Sequence, residues 1–175
     1  MDFSFSDRPN DERIKATLAT AASSSDSELT TLFLNVQWTY REMQKAYDRV
    51  LDQHHLSESK FILLMFLERA DRHRLQPSEL AEKLGATRAT VSKLLTGMER
   101  SGFIQKGHDS VDKRVVLIEL TASGQAVLTN FLPSNFQAVD TIFAHFSKPD
   151  QQALTGLLEK IKQGTQQLNQ ENEGN

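Results

Sequence analysis

One glycine constrains this chain more than any other residue. In "PSELAEKLGATRATVSKLLTGMERSG", Gly85 stands between two short amphipathic stretches and leaves room only for a sharp turn. Pro77 sits at the first position of "PSELAEKL", and Gly85 ends that stretch as a left-handed residue beyond a helix C-terminus does. The next stretch places Val91, Leu94, Leu95 and Met98 on one side and stops at Ser101 and Gly102. Two β-favouring runs follow, "FIQKG" and "RVVLIEL", separated by the polar turn "HDSVDK" and therefore predicted to pair as a hairpin. Helix, tight turn, helix, hairpin is the order of a helix-turn-helix followed by a β-wing.

The outward face of the second helix agrees with that order. With Val91 set at 0° toward the core, Ala89, Lys93, Thr96 and Arg100 fall between about 140° and 200°, flanked by Thr90 and Ser92. Small side chains there let a helix seat in a major groove about 12 Å wide, where hydroxyls and amines meet phosphates and base edges. The whole chain carries a formal net charge of −3. Residues 85–114 nevertheless hold six Lys/Arg against three acids, a local +3 that leaves −6 for the remainder. Each piece alone describes an ordinary surface helix or turn. Their combination is what points to DNA.

The flanks predict long helices. Residues 1–26 are polar and Ser/Ala-rich and read as a mobile tail holding a short helix over residues 11–19. From Leu29 to Leu51 apolar residues recur at helical spacing, with Asp26 or Ser27 as cap and an end near His54. Leu34 and Trp38 lie on the opposite side of that helix, so it requires two partners, one of them another chain. Ser57 caps "ESKFILLMFLERA"; a long helix from Thr121 toward Phe146 is predicted to break or kink at Pro133; a last helix carries Leu154, Leu157, Leu158, Ile161 and Leu168. The chain lacks cysteine, which excludes disulfides, thiolate chemistry and Cys-based zinc sites. Five scattered histidines give no chelate, no catalytic set is identified, and no cofactor is expected. With neither a signal peptide nor a long apolar run, a cytoplasmic protein without membrane contact is expected.

Residues 79–124 closely resemble the DNA-binding core of the MarR family of bacterial transcription regulators, in the branch that regulates multidrug efflux. The matching positions are Leu80-Ala81, Leu84-Gly85, Thr87-Arg88 with Val91-Ser92-Lys93, Gly102-Phe103-Ile104, Asp112-Lys113-Arg114, Leu120-Thr121 and Gly124. The resemblance implies a mainly α fold with a small β-wing, a winged helix-turn-helix domain flanked by long N- and C-terminal dimerisation helices. Its divisions are a mobile tail (1–26), a dimerisation helix (27–55), the winged domain (56–120), C-terminal dimerisation helices (121–170) and a frayed end (171–175). It implies a homodimer that represses from a pseudo-palindromic double-stranded DNA operator and is released by a small lipophilic or phenolic effector. Thr87, Arg88, Thr90, Ser92 and Lys93 would meet the major groove, and Lys106, His108, Lys113 and Arg114 the DNA near the wing, with Asp112 orienting Arg114. Trp38, Tyr40 and Arg41 would line the effector site. Lys106 and Gly107 stand where the family often has two arginines, which implies weaker phosphate anchoring at the wing base or a mobile wing. The alternative is a winged-helix protein–protein module that never touches DNA.

Overall fold

The computed structural model describes residues 9–21, 26–109 and 112–174. Among these described residues seven α-helices run in chain order: α1 (Asp11–Thr20), α2 (Ser27–Asp52), α3 (Glu58–Arg69), α4 (Pro77–Leu84), α5 (Arg88–Arg100), α6 (Ala122–Ile142) and α7 (Lys148–Glu173). Three strands, β1 (Arg74–Leu75), β2 (Ile104–His108) and β3 (Val116–Leu120), form an antiparallel sheet in the order β1-β3-β2. The chain divides into two units, residues 1–132 and 133–175.

The first unit holds the core. Leu51 and Leu56 meet Leu63, Leu64 and Leu67 of α3, Leu80 of α4, Val91, Leu95 and Met98 of α5, Ile104 and Ile118 of the sheet, and Phe131 of α6. These are the inward positions of each period, so helices and sheet present their apolar sides to one interior. Caps fix the starts: the Ser57 hydroxyl accepts from Lys60 N–H at 3.4 Å, and Glu79 accepts from Gln76 N–H at 2.6 Å. His55 adopts a left-handed φ of 59° and closes α2, letting Leu56 N–H reach Leu51 O at 3.0 Å. The histidine pair is thus a helix stop, and His54 lies edge-on to Phe131 at 5.3 Å between ring centroids. Among the described residues no cluster of His, Asp and Glu is placed to hold a metal, and no helix is long and apolar enough to cross a membrane.

Four features differ from the sequence expectations. The hairpin has a third strand, β1, because Arg74 and Leu75 pair with Glu119 and Ile118. Two residues are too few to leave a periodic signature. Within the segment expected as a mobile tail, α1 is docked: Ile14 is 6% exposed and the Thr31 hydroxyl donates to Asp11 at 2.9 Å. The rest of that expectation, residues 1–8 and 22–25, lies outside the described residues. Thr31, Leu34 and Trp38 lie within about 60° of one another around α2. The face that Thr31 turns to α1 is therefore the second face of the long helix, and part of its cover is intramolecular. Of the break or kink expected at Pro133, the break is absent, since α6 runs through it. A proline removes its own N–H from the ladder, and the bonds on either side can hold the helix together. Finally, α7 stays helical to Glu173, past the residue where fraying was expected.

In the second unit the Ser147 N–H donates to Asp150 at 2.9 Å, and its hydroxyl also bonds that carboxylate. These bonds hold the Asp150 carboxyl below its ordinary pKa. Phe143 packs on Phe146 at 5.3 Å between centroids, while Leu157, Leu158, Ile161 and Leu168 of α7 stay exposed.

Gly124 has no room for a side chain. An added Cβ would lie 2.1 Å from the Phe103 carbonyl oxygen and 2.8 Å from Leu120 Cδ1. Gly124→Ala is expected to destabilise the fold by at least about 1–3 kcal/mol, because a backbone atom must yield. Urea unfolding beside wild type checks it, and an unchanged midpoint would show that this junction is slack.

Candidate nucleic-acid interface

Two short helices meet at the left-handed Gly85, φ 60°, whose N–H reaches Glu82 O at 3.0 Å, as Ala86 N–H reaches Ala81 O at the same distance. Thr87 then caps α5. Its Oγ1 accepts from Thr90 N–H at 3.2 Å and shares a hydrogen bond with Thr90 Oγ1 at 2.9 Å. Both threonines are exposed, with part of their hydrogen-bonding capacity used locally. Val91, Leu95 and Met98 anchor the helix from below. Arg88, Ala89, Ser92, Lys93 and Arg100 are exposed, and Thr96 is half-buried with its hydroxyl donating to Ser92 O at 2.9 Å.

The electrostatics of this helix favour an anion. Its first turn has no acid, so the unpaired N–H groups and the partial positive charge of the N-terminus act together with Arg88. Arg88 and Lys93 have no ion-pair partner among the described residues. The structure brings Thr87, Arg88, Thr90, Ser92 and Lys93 together within the first two turns.

The wing gathers a second set. Gln105 faces Glu119, Lys106 faces Ile118 and His108 faces Val116 along the hairpin. Beyond His108, Asp109 N–H reaches Val115 O and Asp112 N–H reaches Asp109 Oδ1, both at 3.0 Å. Asp112 Oδ1 accepts from Arg114 twice, from its N–H at 3.0 Å and its Nε at 3.2 Å. The Arg114 side chain is 91% exposed, so this contact steers a guanidinium that remains in solvent. Lys113 and His108 are exposed too, while the turn residues Ser110 and Val111 lie outside the described set. Lys106 differs from the rest: its Nζ lies 2.6 Å from Glu99 Oε2, at the far end of α5.

Sequence reasoning found Asp112 but missed the carboxylate that ties the sheet together. Glu119, 15% exposed, receives Arg74 Nε at 3.1 Å from β1 and Gln105 Nε2 at 2.8 Å from β2. It also fills the space beside Gly107, where a Cβ would come within 2.6 Å of its Oε1. Register alone sets these pairs, and register is not visible in a single strand. Of the residues expected at an effector site, Trp38 is half-buried and Tyr40 and Arg41 are exposed. Around α2, Trp38 and Arg41 are about 60° apart and Tyr40 about 160° from Trp38. Two of the three share a side, and Tyr40 faces away.

A cationic, hydroxyl-lined second helix beside a small sheet with a projecting arginine defines a winged helix-turn-helix DNA-binding transcription regulator. Similar proteins agree. The MarR family model matches residues 56–116. YetL, an HTH-type transcriptional repressor of Bacillus subtilis strain 168, is 36% identical over 127 residues, 73% of this chain and 76% of YetL. The chain belongs to the MarR family, whose members are transcription regulators and not enzymes. Two solved structures have the same fold. Sco3205 of Streptomyces coelicolor, a MarR family regulator in complex with DNA, superposes with a TM-score of 0.71 at 23% identity, over 80% of this chain and 89% of that one. The organohalide-sensing regulator RdhR-CbdbA1625, in its 2,4-dichlorophenol-bound form, gives a TM-score of 0.69 at 21% identity, over 94% of this chain and 90% of that one.

Thr87→Ala removes the α5 cap and is expected to lower stability by about 1 kcal/mol, while Thr87→Ser keeps most of it. Thermal melts of the two variants beside wild type measure the difference, and equal melts would mean that the cap contributes nothing.

Proposed function

We propose that this protein is a dimeric repressor that binds a pseudo-palindromic operator in the cytoplasm and releases it when a small phenolic or lipophilic molecule binds. The observation carrying this reading is the first half of α5, an exposed surface of hydroxyls and cations at an acid-free helix N-terminus. Thr87, Arg88, Thr90, Ser92 and Lys93 enter the major groove, with Arg114 and Lys113 of the wing beside it and Asp112 aiming Arg114 toward the minor groove. YetL is named a repressor, which supports repression here.

A second copy explains the apolar surface. Leu29, Leu32, Phe33 and Val36 of α2, with Phe33 60% exposed, form a stripe at helical spacing, and α7 carries another in Leu157, Leu158, Ile161 and Leu168. Surfaces of this kind mark interfaces. A two-fold pair of winged domains then meets two half-sites about 34 Å apart, one turn of DNA. An effector acts by favouring a different separation. The side of α2 bearing Trp38 and Arg41 supplies an aromatic face and a cation for a phenolate or carboxylate, and a dichlorophenol is bound by the similarly folded RdhR-CbdbA1625.

Two experiments test the reading. Lys93→Ala is expected to weaken the operator more than random DNA, because a paired contact to base edges is worth about 1–3 kcal/mol of discrimination. Arg114→Ala is expected to weaken both, and to lower the slope of log affinity against log salt by about 0.9 for each phosphate left without its cation. Wild type without salt-dependent duplex binding would return the protein to a protein–protein module. Sedimentation is expected to give twice the 19.8 kDa chain mass, and Leu158→Asp to shift the protein toward monomer. A folded wild-type monomer at micromolar concentration would overturn the dimer.

A further inference from the structure

The geometry points to Lys106 as a strut between recognition helix and wing, not a phosphate anchor, with Glu99 as the positioning residue that holds it. This inference rests on the DNA-binding reading above and refines which cations of that surface meet DNA. Lys106 leaves the sheet on the side of Ile104 and Ile118, which are 2% and 0% exposed, because it sits directly opposite Ile118 and two residues beyond Ile104. Its stem therefore starts from the inner face of the sheet, toward α5. The ammonium ends 2.6 Å from Glu99 Oε2.

Glu99 occupies the last turn of α5, about 9 Å along the axis from Lys93 and roughly 16 Å from Arg88. A carboxylate there faces the negative end of the helix dipole and is unfavourable without a counter-charge. Lys106 supplies that charge. The pair also closes the turn that converts helix into strand, where Gly102 has a φ of 73° and Phe103 N–H reaches Met98 O at 3.0 Å. It adds a side-chain tie across the joint that sets the spacing between α5 and the wing. DNA must meet both at once, so that spacing belongs to the recognition surface. The other cations are placed differently: Arg88, Lys93 and Lys113 have no ion-pair partner among the described residues, and Arg114 is held outward by its neighbour on the same turn.

Salt titrations of the full-length protein separate a strut from an anchor. The probes are the duplex upstream of its own gene and a random duplex of equal length. A strut predicts that Lys106→Met and Glu99→Gln each weaken the upstream duplex by roughly two- to fivefold with the salt slope unchanged, and that the double variant is no weaker than either single one. Lys106→Arg keeps wild-type behaviour. An anchor predicts a slope lowered by about 0.9 per neutralised phosphate in Lys106→Met, and tighter binding in Glu99→Gln as the ammonium is freed. That result overturns the inference, as does wild-type binding by both variants. Should Lys106→Met fail to fold, the near-isosteric Glu99→Gln decides alone, since the two models predict opposite signs for it. Arg114→Ala in the same titration keeps the outcomes distinct: a lowered slope there leaves the DNA interface standing even if the strut fails. Wild type without salt dependence removes both.

Discussion

A single threonine joins the recognition helix, the wing and the helix that leaves the winged domain. The Thr121 hydroxyl donates to Gly102 O at 2.6 Å and accepts from Gly124 N–H at 3.0 Å, while Thr121 N–H reaches Phe103 O at 3.1 Å. Gly124, lacking a Cβ, lets α6 approach that same Phe103 carbonyl. The turn at Gly102 and Phe103 ends α5 and starts β2, so whatever fixes it fixes the angle between helix and wing. Without this knot the buried faces of α5 and the sheet still attract one another, but hydrophobic contact is non-directional. Hydrogen bonds at a close backbone approach supply the direction.

An acidic chain meets an anionic partner by sorting its charges. Cations gather on the outer half of α5 and at the wing turn, while the carboxylates nearby are occupied with internal tasks. Glu119 bridges β1 and β2, Asp112 steers Arg114, and Glu99 neutralises Lys106. Counting charges along the sequence credits Lys106 to the DNA face, and in three dimensions its ammonium is paired with Glu99. Over a screening length of about 8–10 Å, the local pattern outweighs the net charge of a chain this size.

The winged helix-turn-helix is legible in the sequence because its signals are local: a proline and a glycine bracketing α4, a 3.6-residue period in α5, and two β-favouring runs around a polar turn. The exposure of the residues proposed for recognition follows from the outward phase of one helix. What stays hidden depends on pairing across distance. The strand β1 is defined by its pairing with β3, and the docking of α1 buries Ile14 and includes a bond from Thr31. The intact helix at Pro133 escapes prediction for a different reason. A proline inside a helical run signals a boundary on average, yet one missing bond does not oblige the helix to stop.

The close approach of Gly107 and Glu119 bears on how such a regulator diverges. Any side chain at 107 must push aside the Glu119 carboxylate, the group that receives both Arg74 and Gln105. A mutation in the wing is thus felt first at Glu119 of β3, the residue that ties β1 to β2. Acquiring a cation at 107 and keeping the acid at 119 are coupled events, so the order of substitutions matters. The charge of the wing base is thus tied to the contacts of one half-buried carboxylate, Glu119.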